Sequence, residues 1–390
     1  MGQPLLRDDI MMKDETRIEP TDRGWALTLS HEGKEVSGLS IVDQKVRVGK
    51  ASLKMAGIAG VWTAESHRRK GFASKVMWAS IDEMVKRRYD VSILFGIEDF
   101  YHRYGYGVCF PNWTCQVDTG TLSAAAGSEY KVRAANKRDL AVIVKLYQKT
   151  NVRRPASTIR PANWMPVHQS RYGWRMPRMG EGIERRAGKA IVAENEKSKV
   201  LAYAAFDAQD GHCMVIEIGG SDRWAFPALV RRIRQEAARV GAERVRFCVP
   251  PDDPFGEYLN RFGSVWFGHH PSNSGSMGRI VSLERTIEKM IPTFEERLGR
   301  AELPKDGLSV GTDIGTVTIV RKQGHLAVSA LNSSARVEVS QLALTQLITG
   351  YRSIQDLLVD GDAKVARRWA DVVDALFPKA NPYMWWPDRF

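Results

Sequence analysis

The chain has 390 residues, enough for two or three domains, and an ordinary globular composition of 43% apolar and 26% charged residues. No run of about 18 apolar residues suggests a transmembrane helix, and the opening MGQPLLRDDIMMKDETR lacks the apolar core of a secretory signal, so a cytoplasmic address is expected. The net charge of +12 lies in short clusters such as Lys86-Arg87-Arg88 and Arg231-Arg232, which read as solvated helix faces; neither nucleic acid nor membrane is expected as a partner.

Residues 25 to 66 read as successive strands, WALTLSHEG, KEVSGLSIVDQKVRV and ASLKMAGIAGVWTA, with turns at His31–Lys34 and Gly49–Lys50. From Ala73 the period becomes helical: Ala73, Val76, Met77, Ile81, Met84 and Val85 share one face, opposite Lys75, Asp82, Glu83 and Lys86. DVSILFGI is a short buried strand, DFYHRYGYG a turn closed by Gly105, and PNWTCQVD a strand again. TGTLSAAAGSE, residues 119–129, is a small-residue linker and the clearest domain boundary. A helix with Leu140, Ile143, Val144 and Leu146 on its apolar face starts at Asn136 or Asp139. Strands follow at AIVAEN, VLAYAAFDA and HCMVIEIGG, then a helix at Ala225–Val240 and the strand AERVRFCVP, an order that repeats much of the first domain. The last region reads as a helix over RIVSLERTIEKMIPTFEERL, strands over GTDIGTVTIVRKQGHLAVSA and ARVEVS, and helices over SQLALTQLITG and AKVARRWADVVDALF. The domains expected are therefore 1–118, 130–276 and 277–390, with 119–129 as linker. Cys109, Cys115, Cys213 and Cys248 form no CxxC pair and read as buried reduced thiols.

GVWTAESHRRKGFASKVM, residues 60–77, poses a question. Arg68, Arg69 and Lys70 gather where a helix begins, although a helix N-terminus already carries positive potential. Backbone N–H groups at a helix start, opened by Gly71 and kept clear by small Ala73, suit a pyrophosphate that the cations would neutralise. A solvated basic turn is the other reading of these residues alone. Gly60 fits either a bulge that splays the strand or a crowded crossing.

Arg68-x-x-Gly71-x-Ala73, followed one helix and one strand later by Phe100-Tyr101-His102-Arg103-Tyr104-Gly105-Tyr106, resembles the two signatures of the GNAT acetyl-CoA-dependent N-acetyltransferases. GIAGVWTAESHRRKGFAS, FYHRYGYG, ITGYRS at 348–353 and the ending PDRF narrow the resemblance to the Eis-like subfamily over about residues 25 to 390. It implies an α+β fold: tandem GNAT-type mixed sheets flanked by helices, plus a C-terminal sterol-carrier-like α/β domain. The second GNAT-type domain has GGSDRWAFPALVRRI in place of a basic Gly-rich turn, so it is expected to be structural and to hold no coenzyme.

The resemblance also implies roles. Val61, Trp62 and Thr63 present backbone to the pantetheine arm of acetyl-CoA, and Arg68, Arg69, Lys70, Gly71, Phe72 and Ala73 hold its pyrophosphate; no metal is expected. Tyr101 is the general acid, with an aromatic wedge as its structural alternative; Tyr104 and Tyr106 read as packing. The terminal carboxylate of Phe390 reaches back to assist deprotonation of a small-molecule or lysine amine. Against a frayed end, YMWWPDRF holds four aromatics in eight residues, which would be costly in water. His67 fits a polar turn residue or a phosphate contact equally, His102 carries little catalytic weight, and His269-His270 lacks neighbours at zinc spacing. Only about 20 residues precede the strand at Trp25, where a GNAT domain normally has a strand and two helices. The expectation is a truncated chain, or a pocket completed differently, as by a neighbouring subunit of a homo-oligomer. Two rival functions stand beside the transferase: a coenzyme-binding scaffold without turnover, and a lipid-binding module in the C-terminal domain.

Overall fold

The computed structural model describes residues 14–164, 169–170, 173–176, 186–299 and 301–390. Four antiparallel strands open the chain: β1 (Glu15–Thr21), β2 (Gly24–His31), β3 (Lys34–Val48) and β4 (Ala51–Thr63). β1 went unread in the sequence because Ile18 is its one large apolar residue and the strand is mostly exposed, so alternation gives no signal. Next come α1 (Phe72–Lys86), β5 (Val91–Gly96), β6 (Gly107–Val108) and β7 (Asn112–Asp118). β8 (Lys131–Ala134), α2 (Leu140–Thr150), β9 (Gln169–Ser170), β10 (Gly173–Met176), β11 (Arg186–Glu194), β12 (Val200–Gln209) and β13 (His212–Gly220) follow. Then come α3 (Phe226–Arg239), β14 (Arg244–Phe247), α4 (Pro254–Leu259), β15 (Val265–His269) and β16 (Gly275–Ile280). The last part runs α5 (Leu283–Leu298), β17 (Leu308–Thr312), β18 (Gly315–Lys322), β19 (His325–Ser329), β20 (Arg336–Val339), α6 (Gln341–Thr349), α7 (Ile354–Val359), β21 (Ala363–Val365) and α8 (Arg367–Leu376).

These strands form three sheets. The first runs β1-β2-β3-β4-β5-β16-β6, the second β15-β7-β14-β13-β12-β11-β10-β9 with β8 also on β11, and the third β19-β18-β17-β20-β21. In the first two sheets a helix joins the members of a parallel pair, α1 between β4 and β5 and α3 between β13 and β14. That shared strand–helix–strand core is the repeat anticipated from the order of elements.

Strand pairing crosses the expected domain boundaries. β7, placed in the first domain from its position, pairs with β14 and β15 of the second sheet, and β16 pairs with β5 and β6 of the first. Each half thus lends a strand to the other. Alternation shows which face of a strand is buried, as with Cys115 and Val117, but not which sheet it joins. Three smaller corrections follow the same lines. Arg279 and Ile280 extend β16 rather than starting α5, Ala363–Val365 pairs with β20 rather than opening α8, and Val85 on α1 is exposed.

α1 packs Val76, Met77, Ile81 and Met84 against one face of the first sheet. The opposite face, through Val46, Leu53, Met55 and Ile93, shares one core with Met290, Phe294, Leu347 and Phe377 of the last region. Phe294 is fully buried there, so Phe294→Ala should lower stability by about 3–5 kcal/mol in a denaturant titration. A 3-10 turn over Lys137–Asp139 leads into α2, and the capping box Asn136/Asp139 starts that turn: Asn136 accepts from the Arg138 N–H and Asp139 from the Asn136 N–H. All four cysteines are free and buried, and burial pushes the Cys115, Cys213 and Cys248 thiols up to about 12. Among the described residues no helix is long and apolar enough to cross a membrane.

Candidate active site

β4 and β5 run parallel only from Met55–Ile58 against Val91–Leu94. Beyond Ile58 the strands separate, and β4 continues alone on that side to Thr63. The separation is assisted by a bulge against β3, where Ala59 faces Ser40 but Trp62 faces Gly38. Gly60 sits in that bulge at φ +56, so the bulge reading of this glycine is the one the backbone adopts. Ser37 holds the end of β4 by donating to the Trp62 carbonyl at 2.8 Å and bonding the Thr63 hydroxyl at 2.9 Å.

At the mouth of the resulting wedge stands the basic turn. Arg69 (φ +64) and Gly71 (φ +83) are both left-handed, and Gly71 caps α1 without any side-chain bond. Backbone bonding in α1 resumes with the Lys75 N–H donating to the Gly71 carbonyl. The N–H groups of residues 69–74 find no backbone acceptor among the described residues. Arg68, Arg69 and Lys70 are exposed, none of them in an ion pair with a described carboxylate. A Cβ at Gly71 would enter open space. Unpartnered N–H groups, three unneutralised cations and a clear approach fit a phosphate-bearing group. The left-handed Arg69 was not legible in the sequence, because a non-glycine there gives no local signal. His67 contacts Phe72 edge to face and bonds Ser66, so it reads as a turn residue.

The wall opposite β4 is aromatic. Tyr101 lies on Gly96 at the end of β5, where a Cβ would stand 2.5 Å from its ring, and it meets Phe100 at 4.8 Å between ring centroids. Burial, with the neighbouring Tyr104, pushes the Tyr101 phenol above its ordinary value, and its hydroxyl has no hydrogen-bond partner among the described residues. Tyr104 and Tyr106 differ: their hydroxyls bond Ser74 and Ser92 at 2.7 Å, which ties the aromatic turn to α1 and β5. α6 backs the turn, with Gln341 against Gly105 and Gln346 donating to the Val108 carbonyl at 2.9 Å. His102 lies 3.2 Å from Asn273, and His270 stacks on Tyr351.

At the vertex sits the chain's own end. Tyr383, Met384 and Trp385 are fully buried, and the Phe390 ring meets Phe95 edge to face at 5.5 Å. A Cβ on Gly57 would stand 2.5 Å from Phe390 Cζ. The tail is therefore docked rather than frayed, with its last ring over the sheet face at Gly57, one residue before the β4–β5 pairing ends. Gly57→Ala keeps an extended backbone but must push the Phe390 ring out, so we expect the fold to survive with a melting temperature within a few degrees. Carboxypeptidase should release Phe390 faster than from the wild type; release at the unaltered rate would show that the ring is not seated on Gly57.

In the second domain the head of α3 is built differently. Asp222 accepts from the Trp224 N–H at 3.0 Å and also from the Tyr130 hydroxyl, Pro227 occupies the first turn of α3, and a Cβ at Gly220 would meet Ala202 at 2.7 Å. A carboxylate already fills the place an anion would take.

Separated β4 and β5, with an anion-ready turn at the head of the intervening helix, form a GNAT-type fold. Residues 8–109 match the family model described as an acetyltransferase (GNAT) domain. Over 121 residues the chain is 31% identical to an uncharacterized N-acetyltransferase of Streptomyces avermitilis, a stretch covering 30% of each protein. Similar solved structures include a protein of unknown function from Enterococcus faecalis V583, described as a probable N-acyltransferase, with TM-score 0.74 and 17% identity over 94% of this chain and 89% of that one. A GCN5-related N-acetyltransferase from Kribbella flavida gives 0.69 and 19% over 94% and 87%, and Eis1 from Mycobacterium abscessus 0.64 and 15% over 94% and 90%. At these identities the likeness is one of fold, and it extends over all three sheets.

Proposed function

We propose that the chain is an acetyl-CoA-dependent N-acetyltransferase acting on a primary amine by direct attack. The reading is supported by the end of the β4–β5 pairing at Ile58, with the basic turn following β4, Tyr101 on Gly96 at the end of β5 and the Phe390 ring on Gly57. Acetyl-CoA, when bound, supplies the acetyl thioester. The N–H groups at 69–74 with Arg68, Arg69 and Lys70 would hold its pyrophosphate, and Val61, Trp62 and Thr63 would offer backbone to its arm. An N–H of the separated strand would polarise the thioester carbonyl.

Tyr101 keeps its proton at neutral pH, since burial raises a phenol that ordinarily titrates near 10. Its hydroxyl can then give that proton to the departing sulfur. The Phe390 carboxylate assists on the acceptor side by attracting the cationic amine and receiving its proton through water. The terminal domain, read as sterol-carrier-like, serves to deliver that end, in a cytoplasmic protein.

Calorimetry with acetyl-CoA and with free coenzyme tests the seat. Thiol release over a panel of small amines and lysine peptides tests the chemistry. Tyr101→Phe should lose tenfold or more in kcat at neutral pH, about 1.4 kcal/mol of barrier, with coenzyme affinity little changed. Full retention of rate would remove Tyr101 from the role of acid, and no heat with either coenzyme form would remove the transferase reading.

A further inference from the structure

The docked tail is held by a residue of the second domain. Arg160, Glu217 on β13 and Asp388, two residues from the end, have side chains with 0% exposure. Arg160 Nε donates to Asp388 Oδ1 at 2.8 Å and Nη2 to Oδ2 at 2.9 Å, a two-pronged grip. Nη1 donates to Glu217 Oε1 at 2.8 Å, and the Tyr203 hydroxyl donates to the same oxygen at 2.6 Å. The guanidinium lies 3.4 Å from the centre of the Tyr147 ring and 3.7 Å from that of Trp164.

Arg160 is in turn fixed to the first domain. The Ala156 N–H donates to Arg47 O, Arg47 N–H to Ser157 O and Ile159 N–H to Lys45 O, at 2.7 to 2.9 Å, so the segment before Arg160 runs along β3 like an added strand. Gln44 Nε2 donates to the Asp388 carbonyl at 2.9 Å. Gln44 is two residues along β3 from Val42, whose partner across the ladder is Gly57, the seat of Phe390. Hydrogen bonds thus run from β13 through Arg160 and Asp388 to β3, two residues from the ladder partner of Gly57.

Stability gives little reason for such a triad. Well-packed apolar side chains can replace buried ion clusters at no net loss, whereas a two-pronged buried pair fixes register as hydrophobic contact cannot. What Arg160 fixes here is the axial position of Asp388, and hence of the last residue.

We propose that Arg160 is a positioning residue for the acceptor side of the transfer: by clamping Asp388 it sets Phe390 in the wedge, and the second domain takes part in the reaction through the tail. The inference rests on the transferase reading for its kinetic part only. The primary test is Asp388→Asn, which breaks one prong and leaves the Arg160–Glu217 pair, in the full chain. Carboxypeptidase release of Phe390, followed by mass spectrometry, reads tail docking without any activity. We expect release at least tenfold faster than in the wild type, while Glu217→Gln, which keeps Arg160 and Asp388 together, stays within twofold. Amine-dependent kcat should fall tenfold or more, with the coenzyme Kd within twofold. In a chain ending at Arg389, adding Asp388→Asn should change kcat by less than twofold, because a lever with no load does nothing.

Unchanged Phe390 release, or losses that multiply in the shortened chain, would overturn the proposal. Should Asp388→Asn fail to fold, Gln44→Leu, which removes only the bond to the Asp388 carbonyl, carries the same expectation at three-fold or more. If the wild type shows no acetyl transfer to any amine, the transferase reading fails while the release experiment still decides the clamp.

Discussion

Arg160→Met should lower stability by about 3–5 kcal/mol at pH 7, and the loss should shrink steadily as the pH is brought toward 4. The substitution keeps much of the side-chain volume but leaves the Glu217 and Asp388 carboxylates facing each other with no exposure to water. Already in the wild type, burial raises Asp388 above its ordinary 3.8, with Arg160 opposing and Glu217 adding to the rise. An acid raised in the folded chain binds more protons there than in the unfolded chain. Stability from such a group therefore declines as pH climbs above 3.8, and it is recovered on acidification. Removing Arg160 takes away the one opposing charge, so Asp388 rises further and the decline extends to higher pH. Urea titrations at pH 7 and pH 5 measure this, and an equal loss at the two values would show that the cluster acts by shape rather than by charge. Arg160→Met combined with Glu217→Gln and Asp388→Asn should recover most of the loss, since no buried charge then lacks a partner.

How far the sequence carried this can be judged at particular residues. KEVSGLSIVDQKVRV is β3 from end to end, because a long alternation between two glycine-bearing turns has no helical competitor. The turn at 68–73 was legible because its elements are local: a strand, cations, a glycine and a helix in a row. Tyr101 was singled out for the same reason, as part of a run. Phe390 could be read as docked from the aromatic density of YMWWPDRF, but not its seat, since Gly57 lies 333 residues away and glycine in a strand has many uses. Arg160 was missed altogether. Nothing around TIRPANW marks it, and its partners come from β13 and from the tail, so only the folded chain brings the three charges together. The exchange of β7 and β16 belongs with these. Short-range periodicity specifies elements and faces, while pairing between distant strands is decided by which cores need covering.

Gly71→Val is the substitution that separates a seat for coenzyme from a turn of the chain. At φ +83 a β-branched residue is strained, at a cost of about 1–2 kcal/mol, and its side chain would occupy open space at the turn that carries the N–H groups of residues 69–74. Backbone strain alone should be harmless to a protein of this size beyond a few degrees of melting temperature. Gly211 supplies the comparison. It sits at φ +75 in the turn between β12 and β13, also with nothing within 4 Å of a Cβ, and that turn belongs to the domain whose helix start is closed by Asp222. Gly211→Val should therefore lose as much stability as Gly71→Val. Only Gly71→Val should weaken acetyl-CoA, by tenfold or more, about 1.4 kcal/mol in binding free energy. Affinity in the wild type should also fall with added salt, as expected when exposed cations such as Arg68 and Lys70 meet a phosphate, and Gly71→Val should weaken that dependence. Equal coenzyme affinity in the two valine variants would mean that the turn before α1 is only a turn, and the wedge beside it would need another occupant.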